Sequence, residues 1–158
     1  MTTRKGISPV IATVIIVAVT IAVAIAVAFW MTGIIGLFTG FEQVQVVSAV
    51  PTFNKTNKEF NITITVKNTG TAPATLDNIF INGVPFDGGT IKVYFNESGN
   101  EWSPGNAQSL PPGAQATIII SFNDRTGWAG GTLTHGVSVE IKIHTAAGKE
   151  YPKLVVLP

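Results

Sequence analysis

The sequence contains no cysteine. This absence excludes disulfide scaffolds, zinc sites built on thiolates, thiol catalysis and iron–sulfur clusters. Charge is also scarce, since only 12% of the 158 residues are charged, about half the share that is usual in a globular domain. The formal net charge is +1, so the chain lacks the strongly basic surface that binds nucleic acid. We therefore expect no nucleic-acid partner.

Motifs for catalysis are lacking as well. The patterns HExxH and GxSxG and the phosphate-binding loop do not occur, and the nine acidic residues are scattered along the chain. The two histidines are His135 and His144, and His144 ends an alternating segment typical of a surface strand. Trp102 and Trp128 lie in polar segments that contain glycine, and we interpret them as buried aromatics, with sugar stacking as the alternative. We expect no enzymatic activity, no metal and no cofactor.

One long uncharged run is present, over residues 6–41. Apolar runs above about 18 residues are typical of membrane-spanning helices. We predict a helix over residues 7–42, with Ser8 as its cap and Pro9 at its first position. The basic pair at residues 4–5 predicts a cytoplasmic N-terminus and a C-terminus outside. A run that is helical throughout is on the order of 50 Å long, and one bilayer core needs only about 30 Å.

The predicted helix is apolar on every side, so lipid or other helices must cover all of it. Ala18, Ala22 and Ala26 are spaced by four residues and form a stripe of small side chains. Such a stripe lets two helices approach closely, and we predict that these three alanines serve helix packing.

From residue 43 the pattern changes to short alternating segments separated by turn residues. Seven such segments, each with one apolar face, predict an immunoglobulin-like β-sandwich over residues 43–158. The overall class is therefore α+β, with a long apolar helix followed by an all-β head. The segments cover residues 43–53, 60–67, 75–82, 90–95, 114–122, 137–144 and 151–157.

Three Asn-x-Ser/Thr triplets occur in the predicted head, at Asn54, Asn61 and Asn96. This triplet is the acceptor pattern for N-glycosylation. Asn61 falls in a predicted strand, where the two-residue period places it on the outward face with Thr63 and Thr65. We predict a glycan on at least one of these asparagines, which would hydrate a head that has few charges.

Residues 5–12 read KGISPVIA and precede the uncharged run. This start resembles an archaeal type IV pilin precursor. The resemblance implies that residues 1–6 are a leader and that a prepilin peptidase cuts between Gly6 and Ile7. It also implies that the helix becomes the core of an extracellular filament and that the head resembles the immunoglobulin-like heads of archaeal pilins and archaellins. Bacterial pilins carry a glutamate where this chain has Ile11, so assembly here would depend on apolar packing.

The resemblance implies a homopolymer of identical subunits, assembled from the cytoplasmic membrane by a pilus ATPase and a membrane platform. Adhesion is the expected use of the filament. Two alternatives stay open: a single-pass anchored sandwich domain that binds a ligand near the membrane, and an archaellin-type filament subunit. The Ser8-Pro9 start favours a pilin over an archaellin.

Overall fold

The structure, a computed structural model, describes residues 9–38, 40–96 and 101–158. The chain forms two units, Met1–Gly40 and Phe41–Pro158. The first contains one α-helix, α1 (Pro9–Phe38). The second, which we call the head, contains antiparallel strands. The predicted class, a long apolar helix followed by an all-β head, is confirmed.

Helix α1 has 30 residues and is therefore about 45 Å long at 1.5 Å per residue. It ends at Phe38 instead of at the predicted residue 42. The difference has a local cause. The carbonyl oxygen of Phe41 accepts hydrogen bonds from the backbone N–H groups of Thr71 and Ala72. The chain at residue 41 is therefore already part of the head and cannot continue the helix.

The head contains eleven strands within the described residues. Each of the seven predicted segments overlaps one of the longer strands. Four strands of two or three residues were not predicted, because they are too short to show a period. The strands are β1 (Val44–Asn54), β2 (Glu59–Asn68), β3 (Ala74–Ile81), β4 (Val84–Pro85), β5 (Lys92–Phe95), β6 (Gln108–Leu110), β7 (Gln115–Asn123), β8 (Thr126–Trp128), β9 (Gly131–Leu133), β10 (Ser138–Thr145) and β11 (Glu150–Val156).

Two larger sheets and one two-stranded ribbon, β8–β9, make up the head. One sheet has the strand order β1-β2-β7-β5. The other has the order β11-β10-β3-β4, with β6 also paired to β3. Strands β1 and β11 are edge strands, and each contains a proline, Pro51 and Pro152. An edge strand tolerates proline because one side of it needs no N–H donor.

The alternation of β2 sets the two faces of its sheet. Residues 60, 62, 64 and 66 are buried, and Asn61, Thr63 and Thr65 are half-buried on the opposite face. The predicted shared face of these three polar residues is therefore correct. Strand β2 lies between β1 and β7, and Asn61 pairs with Thr52 on one side and Ser121 on the other.

The apolar inner faces of both sheets form one buried core, as expected for two sheets that bury alternate residues against each other. Four strands each supply at least three buried side chains to this core. They include Phe60, Ile62 and Ile64 from β2, Ile118, Ile120 and Phe122 from β7, Leu76, Ile79 and Ile81 from β3, and Val139, Ile141 and Ile143 from β10.

Candidate assembly helix and surface sites

Helix α1 presents large apolar side chains on all sides. Fifteen of them are exposed, from 49% at Val27 to 76% at Phe29. No acidic or basic residue occurs between Pro9 and Phe38. Over Pro9–Gly36 the helix is long and apolar enough to cross a membrane, with a mean hydropathy of 3.1. No residue of this span is buried.

The polar side chains of α1 do not interrupt this apolar surface. The hydroxyl groups of Thr13, Thr20 and Thr32 donate hydrogen bonds to backbone carbonyls three or four residues earlier, at 2.7 to 2.8 Å. The indole N–H of Trp30 is then the one remaining side-chain donor among the described residues of the helix. A helix of this kind offers no polar path for ions or protons.

The three alanines of the predicted packing stripe lie on one side of α1. Ala18, Ala22 and Ala26 are all exposed, so a neighbouring helix can reach the backbone between them. Their role in packing stays a prediction. The predicted cleavage residues, Gly6 and Ile7, and the capping residue Ser8 lie outside the described residues.

The turn that follows β2, residues 68–72, holds the segment by which the chain enters the head, and we call it the junction turn. The carbonyl of Phe41 accepts the N–H of Thr71 at 2.9 Å, and that of Gln43 accepts the N–H of Thr69 at 2.8 Å. In return the Thr71 hydroxyl accepts the N–H of Phe41 at 3.1 Å. The entry segment is therefore hydrogen-bonded before β1 begins.

Asn68 organises the junction turn from inside. It is fully buried, and its side-chain N–H groups donate to the carbonyls of Ala72 and Leu110 at 2.8 and 2.9 Å. Its side-chain oxygen accepts the N–H of Gly70 at 2.9 Å. Every polar atom of this buried amide therefore has a partner, as burial requires. The residue links β2, the junction turn and the end of β6.

The three predicted glycosylation asparagines differ in their surroundings. Asn54 is exposed at the end of β1, and its side-chain oxygen accepts the N–H of Thr56 at 3.0 Å. Asn61 is half-buried in β2, where its side-chain oxygen accepts the hydroxyl of Ser121. Asn96 is exposed and has a φ of 58°, and the two residues that complete its triplet lie outside the described residues. Asn54 and Asn96 are thus more accessible acceptors than Asn61.

The two tryptophans considered for sugar stacking make contacts within the head instead. Trp102 is 2% exposed and packs near Phe86 and Phe95, with ring centroids 5.9 Å from each. The indole N–H of Trp128 donates to the carbonyl of Ile81 at 2.9 Å, and its ring is half-buried. The interpretation of Trp102 as a buried aromatic is confirmed.

The two histidines have separate local partners. His144 lies half-buried on β10, with its Nδ1 atom 2.6 Å from the carboxylate of Asp77. His135 is exposed, and its ring meets that of Phe53 at a centroid distance of 4.4 Å. Over residues 9–38, 40–96 and 101–158 no group of three or more acidic or histidine side chains is placed to hold a metal ion.

One cluster was missed by the sequence reasoning. Lys55, Lys58 and Arg125 line a single cleft, although they lie in two turns far apart in the chain. The sequence does not show that these two turns meet. The signal that was available is weak: two of the few basic residues of the chain fall in the turn between the first two predicted strands.

Comparisons with known proteins give distant likenesses. No protein-family model matches the chain, and no curated protein matches it. Similar solved structures include the archaeal flagellum of Methanospirillum hungatei strain JF1, at 17% identity over 94% of this chain and 88% of that chain, with a TM-score of 0.45. The archaellum periplasmic stator protein complex FlaF and FlaG from Sulfolobus acidocaldarius is 19% identical over 73% of this chain and 90% of that chain, with a TM-score of 0.40.

A third similar structure, the apo PCuAC domain from PmoF1, is 15% identical over 75% of this chain and 98% of that chain, with a TM-score of 0.49. The solved structures that resemble the chain thus include archaeal filament and stator proteins and a PCuAC domain. Identities and TM-scores this low describe a resemblance and do not assign the chain to any of these proteins.

Proposed function

We propose that this chain is a structural, non-catalytic subunit of an extracellular filament in which the α1 helices of many copies pack together. The observation that carries the proposal is the apolar surface of α1, which is exposed on every side and has no charge. In water such a surface is unstable, because burial of apolar area is the main favourable term in protein association. Lipid covers the helix before assembly, and neighbouring helices replace the lipid afterwards.

The length of α1 supports a role beyond anchoring. At about 45 Å the helix exceeds the roughly 30 Å core of one bilayer. A plain anchor gains nothing from the additional turns, whereas a helix bundle gains packing along its whole length. Identical copies that pack through different faces of one helix make head-to-tail contacts, and such contacts generate an open helical assembly.

The finer form of the proposal is a type IV pilus that serves adhesion. Its support is the resemblance of residues 5–12 to an archaeal prepilin junction. In this form the precursor lies in the cytoplasmic membrane with its N-terminus inside, consistent with the basic residues 4–5. Prepilin peptidase removes residues 1–6, and an assembly ATPase with a membrane platform then moves the subunit into the growing filament.

The test is electron microscopy of material sheared from cells that make the wild-type chain, Gly6→Leu or Thr3→Leu. We expect filaments from the wild type and from Thr3→Leu, which adds the same side chain to the leader away from the junction. Gly6→Leu should give no filaments and an uncut precursor in the membrane. N-terminal sequencing of the wild-type filament should start at Ile7.

Two outcomes would replace this proposal by an alternative. A wild-type chain that stays in the membrane without filaments would support the anchored binding module. Filaments whose loss stops swimming, while attachment to surfaces is unchanged, would support the archaellin. Loss of attachment with normal swimming supports the adhesive pilus.

A further inference from the structure

A cleft lies at the end of the head opposite Phe41. There the turn between β1 and β2 and the turn between β7 and β8 line a common volume of about 620 Å³. The two turns are joined by the N–H of Asp124, which donates to the carbonyl of Lys58 at 2.8 Å. The volume falls within the range of about 300 to 1,000 Å³ that small-ligand sites occupy.

The lining of the cleft is basic. Lys55, Lys58 and Arg125 line it, and Asp124 is the one acidic residue among its lining residues. Three cations and one anion give the cleft a formal charge of +2, more than the +1 of the entire chain. The Asp124 carboxylate accepts a hydrogen bond from the hydroxyl of Thr134 at 3.0 Å.

The cations of the cleft have no ion-pair partner within the described part of the chain. The ion pairs found there join Lys92 to Glu101, Lys142 to Glu150 and His144 to Asp77. Lys92 and Lys142 are thus paired with carboxylates, whereas the cleft brings together three basic side chains that have no such pair. The three in the cleft repel one another and leave a positive field that an anion would relieve.

Two of these cations occupy strained backbone positions. Lys58 has a φ of 54° and Arg125 a φ of 61°, in the left-handed region that glycine and asparagine adopt more easily. The other left-handed positions in the described chain that are not glycine are Asn82, Asn96 and Ala129, and none of these carries a charge. Two of the left-handed positions therefore hold long basic side chains, and both line the same cleft. Backbone strain of this kind concentrates at binding sites, which indicates that the positive charge binds a ligand.

We propose that this cleft binds an acidic saccharide, a sugar that carries carboxylate or sulfate groups. Arg125 can bind such a group through two parallel N–H donors, and Lys55 and Lys58 add positive charges beside it. The amides of Asn57 and Asn123 also line the cleft and can donate to and accept from sugar hydroxyls.

The geometry favours a saccharide over nucleic acid. A nucleic-acid backbone needs a basic track along which several phosphates lie, and the positive charge here is confined to one cleft. The wall of the cleft is also held in place, since the ring of Phe53 lies 4.7 Å from that of Phe60. Binding at the cleft does not depend on polymerisation of α1, so it can be tested separately from the filament.

The experiment titrates the full-length chain, produced without glycosylation and held in a non-ionic detergent, with four probes. Dextran sulfate and polygalacturonate are the acidic saccharides, dextran is the neutral sugar, and oligo(dT) is the nucleic acid. We expect both acidic saccharides to bind more tightly than oligo(dT) and dextran not to bind. The double variant K58N/R125N should weaken acidic-saccharide binding at least tenfold.

The same double variant should not lose thermal stability, because asparagine adopts the left-handed conformation more easily than lysine or arginine. The matched control is K67N/K153N, which removes the same charge from exposed positions outside the cleft and should bind within twofold of the wild type. K55Q adds a cleft variant at which no left-handed backbone is involved, and it too should weaken binding.

Three results would overturn the proposal. Equal losses in the cleft and control variants would mean that binding follows net charge alone. Equal binding of dextran and dextran sulfate would mean that the acidic groups are not recognised. Binding of oligo(dT) as tight as that of the acidic saccharides would assign the cleft to a different class of polyanion.

Discussion

Gly70 is the residue at which the entry of the chain into the head leaves no room for a side chain. A Cβ atom at this position would lie 2.4 Å from the carbonyl oxygen of Phe41 and 2.6 Å from the backbone nitrogen of Gln43. Both atoms belong to the backbone of residues whose carbonyls accept hydrogen bonds from the junction turn, so the entry segment cannot move away without disturbing those bonds.

We therefore expect Gly70→Ala to destabilise the head by about 1 to 3 kcal/mol, the usual cost of overpacking. Thermal unfolding of the full-length chain in detergent measures the effect. Gly127→Ala is the control, because a Cβ there meets nothing within 4 Å and its φ is not in the left-handed region. A Gly70→Ala chain as stable as the control would show that the entry segment is not held tightly.

A second residue-scale effect concerns acid. The carboxylate of Asp87 accepts the N–H groups of Gly89, Thr90 and Ile91 at 3.0 to 3.2 Å. Burial acts to raise the pKa of Asp87, but the hydrogen bonds from the Thr90 side chain and from these N–H groups outweigh it. The pKa of Asp87 in the folded chain is therefore below its ordinary value of 3.8.

A lowered pKa in the folded state means that the stabilisation is present above the ordinary pKa and is lost as the pH falls through the lower folded value. Wild type should exceed Asp87→Asn in stability at pH 7 by about 1 kcal/mol or less, because the carboxylate is exposed. The difference should shrink when unfolding is measured below pH 3.8. A difference that stays constant down to pH 2 would contradict this assignment.

At the scale of elements, the sequence predicted the helix well because a long uncharged run has few stable alternatives. It predicted the end of α1 less well, since that end is set by hydrogen bonds from Phe41 to a turn thirty residues later. It missed β4, β6, β8 and β9, which are held by pairing with neighbours and not by their own pattern. The basic cleft escaped prediction for the same reason, because the pairing of β2 with β7 brings its two turns together.

Helix packing can be tested without introducing a charge. Ala22→Leu keeps α1 apolar and helical but fills the stripe of small side chains. If close approach along the stripe holds the filament together, this variant should reduce the yield of filaments at least tenfold. Val23→Leu is the matched control, since it adds a similar leucine next to the stripe and should assemble normally. Equal yields from both variants in electron micrographs would remove the stripe from the packing interface.

At the scale of the whole molecule, mass spectrometry of the native protein tests processing and glycosylation together. We expect the mass of residues 7–158 plus at least one glycan. Asn54 should carry it in preference to Asn61, because Asn54 is exposed and Asn61 is bonded to Ser121 within a sheet. Thr56→Ala removes the Asn54 triplet and should lower the mass by the corresponding glycan.

Each alternative has its own mass. A mass equal to that of unmodified residues 7–158 would exclude glycosylation. The polar faces of the sheets would then hydrate the head without glycans. A mass that includes residues 1–6 would exclude cleavage at Gly6. Unchanged mass in Thr56→Ala would assign the glycan to another asparagine.

The junction turn has a mechanical consequence for a fibre built from such subunits. In the proposed filament, a force along the fibre would act on each head through the entry segment. Two sets of hydrogen bonds hold that segment to the rest of the head. Strand β1 carries part of the force into β2 along ten paired residues, and the junction turn carries part through the bonds to Phe41 and Gln43. Hydrogen bonds that are loaded in parallel share the force. We therefore expect the N-terminal end of the head to unfold under force only when the β1–β2 pairs and the junction-turn bonds break together.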